Sequence, residues 1–324
     1  MIEPNLYGHD LFGEVIKPKA SGPVAERFTI PPFTILDARN GDWQERKRAW
    51  LTMGIEGEIG RSAKAYNAHE YAQSAWGRKD DAVIGGGTDG TSIFDPVICE
   101  LAYRWFCPKG GQVVDPFAGG SVRGIIAKAL GRKYWGCDLR QEQIDANILQ
   151  AEQIFEGYDG RTKDMVGSPD LEWVCGDSME TLNDAPDADF IFSCPPYGDL
   201  EKYSDDPKDL SSMEWHTFTA AYKRIILRSV SRMKSDTFAC FVVGDFRDNK
   251  GFYRNFVSIT IDAFEQAGAK LYNEAILATS LGTAAMRVTK QFDSGRKMAK
   301  THQNVLVFCK GDWKKAAEKC IQNN

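Results

Sequence analysis

A chain of 324 residues, 43% hydrophobic and 26% charged, has room for one large domain and an accessory region, with the balance of a globular protein. No apolar run reaches the length of a membrane span, and the N-terminus lacks the basic-then-apolar order of a secretion signal, so a cytoplasmic location is the expectation. The net charge of −5 argues against indiscriminate attachment to nucleic acid, although whole-chain charge says little about a local patch.

Residues 1–90 are rich in Gly, Pro and polar residues, with a turn at Pro31–Phe33 and a GGGTDGTS stretch at Gly85–Ser92. They read as an accessory region able to contact DNA. Within it, GDWQERKRAWL carries Trp43, Trp50 and the cluster Arg46, Lys47 and Arg48. A short amphipathic helix there either turns its basic face to phosphate or packs its tryptophans on the main domain. Packing is the preferred reading.

From residue 91 to 311 short apolar runs alternate with helical patterns, which predicts an α/β fold built on a mainly parallel sheet. Seven strand-like runs are visible, at Gln112–Val114, Lys133–Cys137, Trp173–Cys175, Phe190–Ser193, Phe238–Val243, Leu271–Ala278 and Asn304–Cys309. Helix candidates with apolar residues three and four apart lie at Ser121–Leu130, Gln141–Phe155, Met213–Met233 and Tyr253–Ala267. Residues 312–324 read as a C-terminal tail.

The eight cysteines are scattered and include no C-x2-C pair, so neither a disulfide framework nor a metal site is expected. His216 and His302 stand alone and read as structural.

At residues 110–131 a β-type run ending in Asp115 breaks into a glycine turn that opens directly into a helix. Glycine lets a ligand approach bare backbone, and the helix start offers unpaired N–H groups. Asp138 and Asp177 end the next two strand runs. An acid so placed is suited to the hydroxyls of a ribose. Each alone also reads as a helix N-cap, but three in succession point to a nucleoside along the carboxyl edge of the sheet.

Asp115-Pro116-Phe117-Ala118-Gly119-Gly120-Ser121 resembles the D-P-F-x-G-S-G motif of the DNA amino-methyltransferases, whose cofactor is S-adenosylmethionine. The serine is displaced by one position. Phe94-Asp95-Pro96, opening the run to Phe106, resembles the start of the family's helix that cradles the methionine end. The resemblance covers roughly residues 91–311. It implies a class I, Rossmann-like methyltransferase fold, with a seven-stranded sheet and helices on both faces. It also implies that Asp115 lies near the methionine amino group, Asp138 and Leu139 near the ribose, and Asp177 and Ser178 near the adenine.

The fourth run ends in Ser193-Cys194-Pro195-Pro196-Tyr197. Two prolines hold the backbone extended and remove two N–H donors, leaving carbonyls to accept hydrogen bonds beside a flat tyrosine face. That combination suits an aromatic amine. It resembles the same family's [D/N/S]-P-P-[Y/F/W] motif, in which a base flipped from the duplex is held for attack of its amino nitrogen on the sulfonium methyl. Here the first position is Cys194, a poorer acceptor than Asp, Asn or Ser, so adenine and cytosine are not distinguished. Ser193 compensates only if its side chain reaches the same face. The alternatives left open are a pyrimidine C5-methyltransferase with Cys194 as nucleophile, an RNA base amino-methyltransferase, and a decayed fold that only binds DNA.

Residues 199–214 carry six acids and two lysines, whereas 287–302 carry Arg287, Lys290, Arg296, Lys297 and Lys300 against one acid. The basic stretch and the N-terminal cluster are the expected contacts to the phosphates of double-stranded DNA. A looser resemblance, in SCPPYGDLEKYSDD and WQERKRAWL, extends to phage-type DNA methylases and implies a viral or prophage origin.

Overall fold

Apolar strands fix the architecture by alternation. In the computed structural model, which describes residues 22–56, 93–155, 170–198, 203–281 and 284–321, Val113, Phe190, Phe192, Phe238 and Cys240 enter one core. Their neighbours Val114, Ile191, Ala239 and Phe241 enter a second core on the other face. A sheet buried on both faces needs this two-sided apolar pattern.

The strands are β1 (Ile35–Asp37), β2 (Gln112–Asp115), β3 (Lys133–Asp138), β4 (Leu171–Cys175), β5 (Ala188–Ser193), β6 (Met233–Val243), β7 (Lys270–Ala278) and β8 (His302–Lys310). They form one sheet in the order β1-β7-β8-β6-β5-β2-β3-β4. All pairings are parallel except those of β8, which runs antiparallel to β6 and β7. This is the expected class I, Rossmann-like methyltransferase sheet with one strand added at its edge. β1 pairs with β7, Ile35 opposite Ile276.

The helices are α1 (Pro23–Phe28), α2 (Gly41–Leu51), α3 (Pro96–Phe106), α4 (Val122–Ala129), α5 (Gln141–Ile154), α6 (Ser178–Thr181), α7 (Trp215–Arg232), α8 (Phe256–Gln266), α9 (Ala284–Gly295) and α10 (Trp313–Ile321). α7 and α8 help to build the second core, and α2, α3, α4 and α10 the first.

Both ends of the described chain join the core. Leu36, Ala38, Trp43, Trp50 and Ile55 belong to the first core. Trp43 and Trp50 are 1% and 0% exposed, so the preferred packing reading of the tryptophans is what the fold adopts. Truncating either to Ala would cost about 3–5 kcal/mol by the usual scale for buried aromatics. Residues 313–321 are likewise a helix, with Ala316 and Cys320 buried and Lys319 donating to the Ser235 and Asp236 carbonyls. The GGGTDGTS stretch lies outside the described residues.

The chain reverses direction across the sheet between β2 and β5, which are neighbours. Clefts in such sheets open at the carboxyl ends of the strands flanking that reversal.

Candidate active site

A cleft of about 440 Å³ opens there, within the range of small-molecule and cofactor sites. One wall carries Gly119, Gly120, Asp138, Leu139, Asp177 and Ser178; another carries Cys194, Pro195, Pro196 and Tyr197. The two sequence motifs therefore share a single cavity.

The glycine turn is built for backbone exposure. Gly119 has φ +48°, a left-handed conformation that disfavours other residues, and its N–H donates to Asp138 Oδ2 at 3.1 Å. Behind it α5 presents a polar ladder that sequence periodicity did not reveal. Arg140 donates to Gln143 at 3.2 Å, Gln143 to Asn147 at 2.9 Å, and Asn147 to the Gly119 carbonyl at 2.8 Å. One step further along, Gln150 accepts from Ser121. Gln143, Asn147 and Gln150 are all buried and recur at helical spacing. A polar stripe where an amphipathic helix should be apolar was the available signal.

The three strand-end acids have different fates. Asp115 does not line the cleft. It is fully buried and accepts from Phe117 N at 3.1 Å, Ser193 Oγ at 2.5 Å, Arg123 Nε at 2.5 Å and Tyr134 OH at 2.8 Å. Four donors fill the acceptor capacity of a carboxylate, so it has no site left for the methionine amino group that the resemblance implies. Arg123, which sequence reasoning overlooked, also donates to the Phe117 and Ala118 carbonyls at 2.6 and 2.8 Å and lies 4.7 Å over the Phe94 ring. Burial works against its charge, but Asp115 beside it raises its pKa well above the ordinary value.

Asp138 faces the cleft and also accepts from Arg140 N at 2.9 Å. Asp177 both lines the cleft and caps α6, accepting from Met179 N at 2.9 Å. Ser178 donates to the Pro116 carbonyl at 2.6 Å. Asp95 caps α3 through Val97 N at 2.9 Å, ahead of the buried Pro96, and lines the cleft with Phe94. Pro116 and Phe117 line it too, whereas Ala118 is buried.

At the second motif, Ser193 is fully buried and donates to Asp115, and it is not among the residues lining the cleft. Tyr197 is half-buried against Phe246 and Phe256, with ring centroids 5.9 and 6.0 Å away in edge-on geometry. Its hydroxyl accepts from Gln303 Nε2 at 2.7 Å and touches the Cys194 thiol, and burial pushes its pKa well above the tyrosine range. Gln303 reaches this point from β8, and no local pattern announces it.

The expected phosphate contacts divide. Arg46 turns inward to the fully buried Glu100, which also accepts from Trp50 at 2.7 Å and Arg104 at 2.8 Å. Committed to that pair, Arg46 is not a surface phosphate contact. Burial alone would raise the Glu100 pKa, but these donors hold it below the usual value. Lys47 lines the cleft, and Arg48 is exposed. In the basic stretch, Lys290 and Arg296 are exposed, with Arg296 Nη1 3.9 Å from Asp293. Lys297 lies against Gly251. Lys300 sits half-buried 3.2 Å from His302, and burial lowers its pKa. The Arg287 side chain lies outside the described residues. Among the described residues no cluster of His, Cys, Asp and Glu is placed to hold a metal, and no helix is long and apolar enough to cross a membrane.

The fold is that of the class I methyltransferases. Solved structures similar to it include TrmN from Thermus thermophilus, at 13% identity and a TM-score of 0.43, over 67% of this chain and 49% of that one. This chain thus spans about half the length of TrmN. A TehB-like SAM-dependent methyltransferase from Corynebacterium glutamicum aligns at 18% identity and a TM-score of 0.40, over 68% and 90% of the two chains. Magnesium protoporphyrin IX methyltransferase from Synechocystis, solved with bound SAM, aligns at 8% identity and a TM-score of 0.39, over 67% and 79%. The sequence matches no protein-family model and no curated protein.

Proposed function

We propose that this chain transfers a methyl group from S-adenosylmethionine to an exocyclic amino nitrogen of a base flipped out of double-stranded DNA, at N6 of adenine or N4 of cytosine. The observation that carries the reading is the meeting of the glycine turn and Asp138 with Pro195, Pro196 and Tyr197 in one cleft. The residues fit the cofactor. The Gly119 turn offers bare backbone, and Asp138 and Leu139 line the place of a ribose, with Asp177 and Ser178 beyond. Bound there, S-adenosylmethionine supplies an electrophilic methyl carbon.

The chain's own part is positioning. Tyr197 offers its ring to a flipped base, and Gln303 fixes the hydroxyl of that ring. The Pro195 carbonyl accepts a hydrogen bond from the amino group, drawing its lone pair out of ring conjugation. Holding nucleophile and electrophile in line accounts for most of the acceleration in such a reaction. Arg48, Lys290, Arg296 and Lys297 are the exposed cations of the two basic clusters that would meet duplex phosphates. A DNA affinity insensitive to added salt would remove them from that role.

The decisive experiment incubates the chain with methyl-labelled S-adenosylmethionine and duplex DNA, then identifies methylated nucleosides by mass spectrometry. N6-methyladenine or N4-methylcytosine is expected; 5-methylcytosine, or label on RNA alone, overturns the reading. Cys194→Ser separates amino attack from a thiolate mechanism. Amino methylation persists in that variant, because the serine hydroxyl accepts a hydrogen bond at least as well as the thiol, whereas an essential nucleophile would leave none.

A further inference from the structure

We propose that Lys47, delivered into the cleft by α2, grips the α-carboxylate of the cofactor's amino-acid end, while Asp95 takes its α-ammonium. This rests on the methyltransferase reading above and adds a site to it. The family motif gives the ammonium to the acid that ends β2. In this chain that acid, Asp115, is closed off by Ser193, Tyr134, Arg123 and the Phe117 N–H. The zwitterionic end must be met by other groups.

Lys47 and Asp95 both line the cleft, beside Phe94 and Gln44. Their charged atoms lie 3.4 Å apart, and their side chains are 26% and 17% exposed. An acid and a base side by side, each partly withdrawn from water, are complementary to a ligand carrying an ammonium and a carboxylate on one carbon. The bound zwitterion exchanges one ion pair for two. Partial desolvation makes such pairs stronger than they are on an open surface.

Two other charged groups of the cleft, Arg123 and Asp209, are held by partners of their own. Arg123 is held by Asp115 and two carbonyls. Asp209 accepts from Ser204 and Ser211.

Lys47 also stands on a rigid support. Trp43 donates to the Asp95 carboxylate at 3.2 and 3.3 Å. Trp50 and Arg46 anchor the same helix to Glu100. Three consecutive cations, about 100° apart around a helix, thus go to three fates: Arg46 to the core, Lys47 to the cleft and Arg48 to solvent. On this assignment the Lys47 side of α2 belongs to the cofactor site, while Arg48 stays on its exposed side.

The test is calorimetric binding of three probes to the full chain: S-adenosylhomocysteine, its decarboxylated analogue, and 5′-methylthioadenosine, which lacks the amino-acid end. In Lys47→Met the affinity for S-adenosylhomocysteine falls about 10- to 100-fold, the scale of a charge-assisted hydrogen bond. Affinity for the other two probes stays at the native value, and Lys47→Arg recovers most of the loss. Unchanged S-adenosylhomocysteine affinity in Lys47→Met overturns the proposal, as does equal weakening of all three probes, which would assign α2 a purely structural role. A native chain that binds none of the probes overturns the methyltransferase reading itself, a result distinct from either.

Discussion

Asp115 and Asp138 end neighbouring parallel strands, β2 and β3, and in the sequence both read as cofactor ligands. Their surroundings separate them. Asp115 is surrounded by Arg123 from α4, Tyr134 from β3 and Ser193 from β5, while Asp138 turns the same chemical group into the cleft. An acid at a strand end marks the edge where ligands bind. Whether it binds one depends on partners brought from other strands and helices. The first carboxylate ties three strands and a helix together at the switch point; the second keeps its backbone donors and faces the cleft.

Mutating the pair is the most direct way to break this comparison. Asp115→Asn leaves the buried Arg123 guanidinium without its counter-charge and costs about 3–5 kcal/mol, the scale for breaking a buried ion pair, measured by urea unfolding. A loss below about 1 kcal/mol would mean that Asp115 is not the structural tie described.

A second buried acid sharpens the point. Glu100→Gln costs about 3 kcal/mol at neutral pH and changes the acid limb of the stability profile. The pKa of native Glu100 is lowered, so its contribution is present above the unfolded value of about 4.3. It is lost as pH falls through the lower folded value. Unfolding midpoints from pH 3 to 6 should therefore fall more steeply in the native chain than in the variant.

Asp138→Asn gives the opposite signature to Asp115→Asn. Stability changes by about 1 kcal/mol or less, while S-adenosylhomocysteine affinity drops about 10- to 100-fold, as for a lost hydrogen bond to a charged group. If the two variants proved alike in both measurements, the division of labour between these acids would be wrong.

The smallest effect belongs to Gln303→Leu. Tyr197 keeps its aromatic packing but loses one neutral hydrogen bond, worth about 1 kcal/mol. Methylation is expected to slow about fivefold in kcat with cofactor affinity unchanged.

The sequence made legible whatever depends on near neighbours. Seven apolar runs became seven strands, most clearly in the central β5 and β6, where two-sided burial leaves a long hydrophobic signature. The glycine turn and the diproline segment were visible because their chemistry lies in consecutive residues. β1 was not foreseen: at three residues, Ile35–Asp37, it is too short to show a period, and its strand identity comes only from pairing with β7. α9 arises within a charged run that read as a basic stretch, where composition masks helical spacing. Long-range partnerships escaped altogether. Neither the inward turn of Arg46 to Glu100 nor the reach of Gln303 to Tyr197 follows from any local pattern, because each depends on which elements the tertiary fold makes adjacent.

The edge pairing of β1 with β7 also bears on how the protein is assembled. Ile35 finds its partner at Ile276, so this pairing joins segments some 240 residues apart. Closing contacts so distant in sequence is slow. Until it happens, β7 presents a bare hydrogen-bonding edge to other molecules, and the α2 side of the cleft has no wall. Competence to bind and protection from self-association thus depend on the same edge pairing.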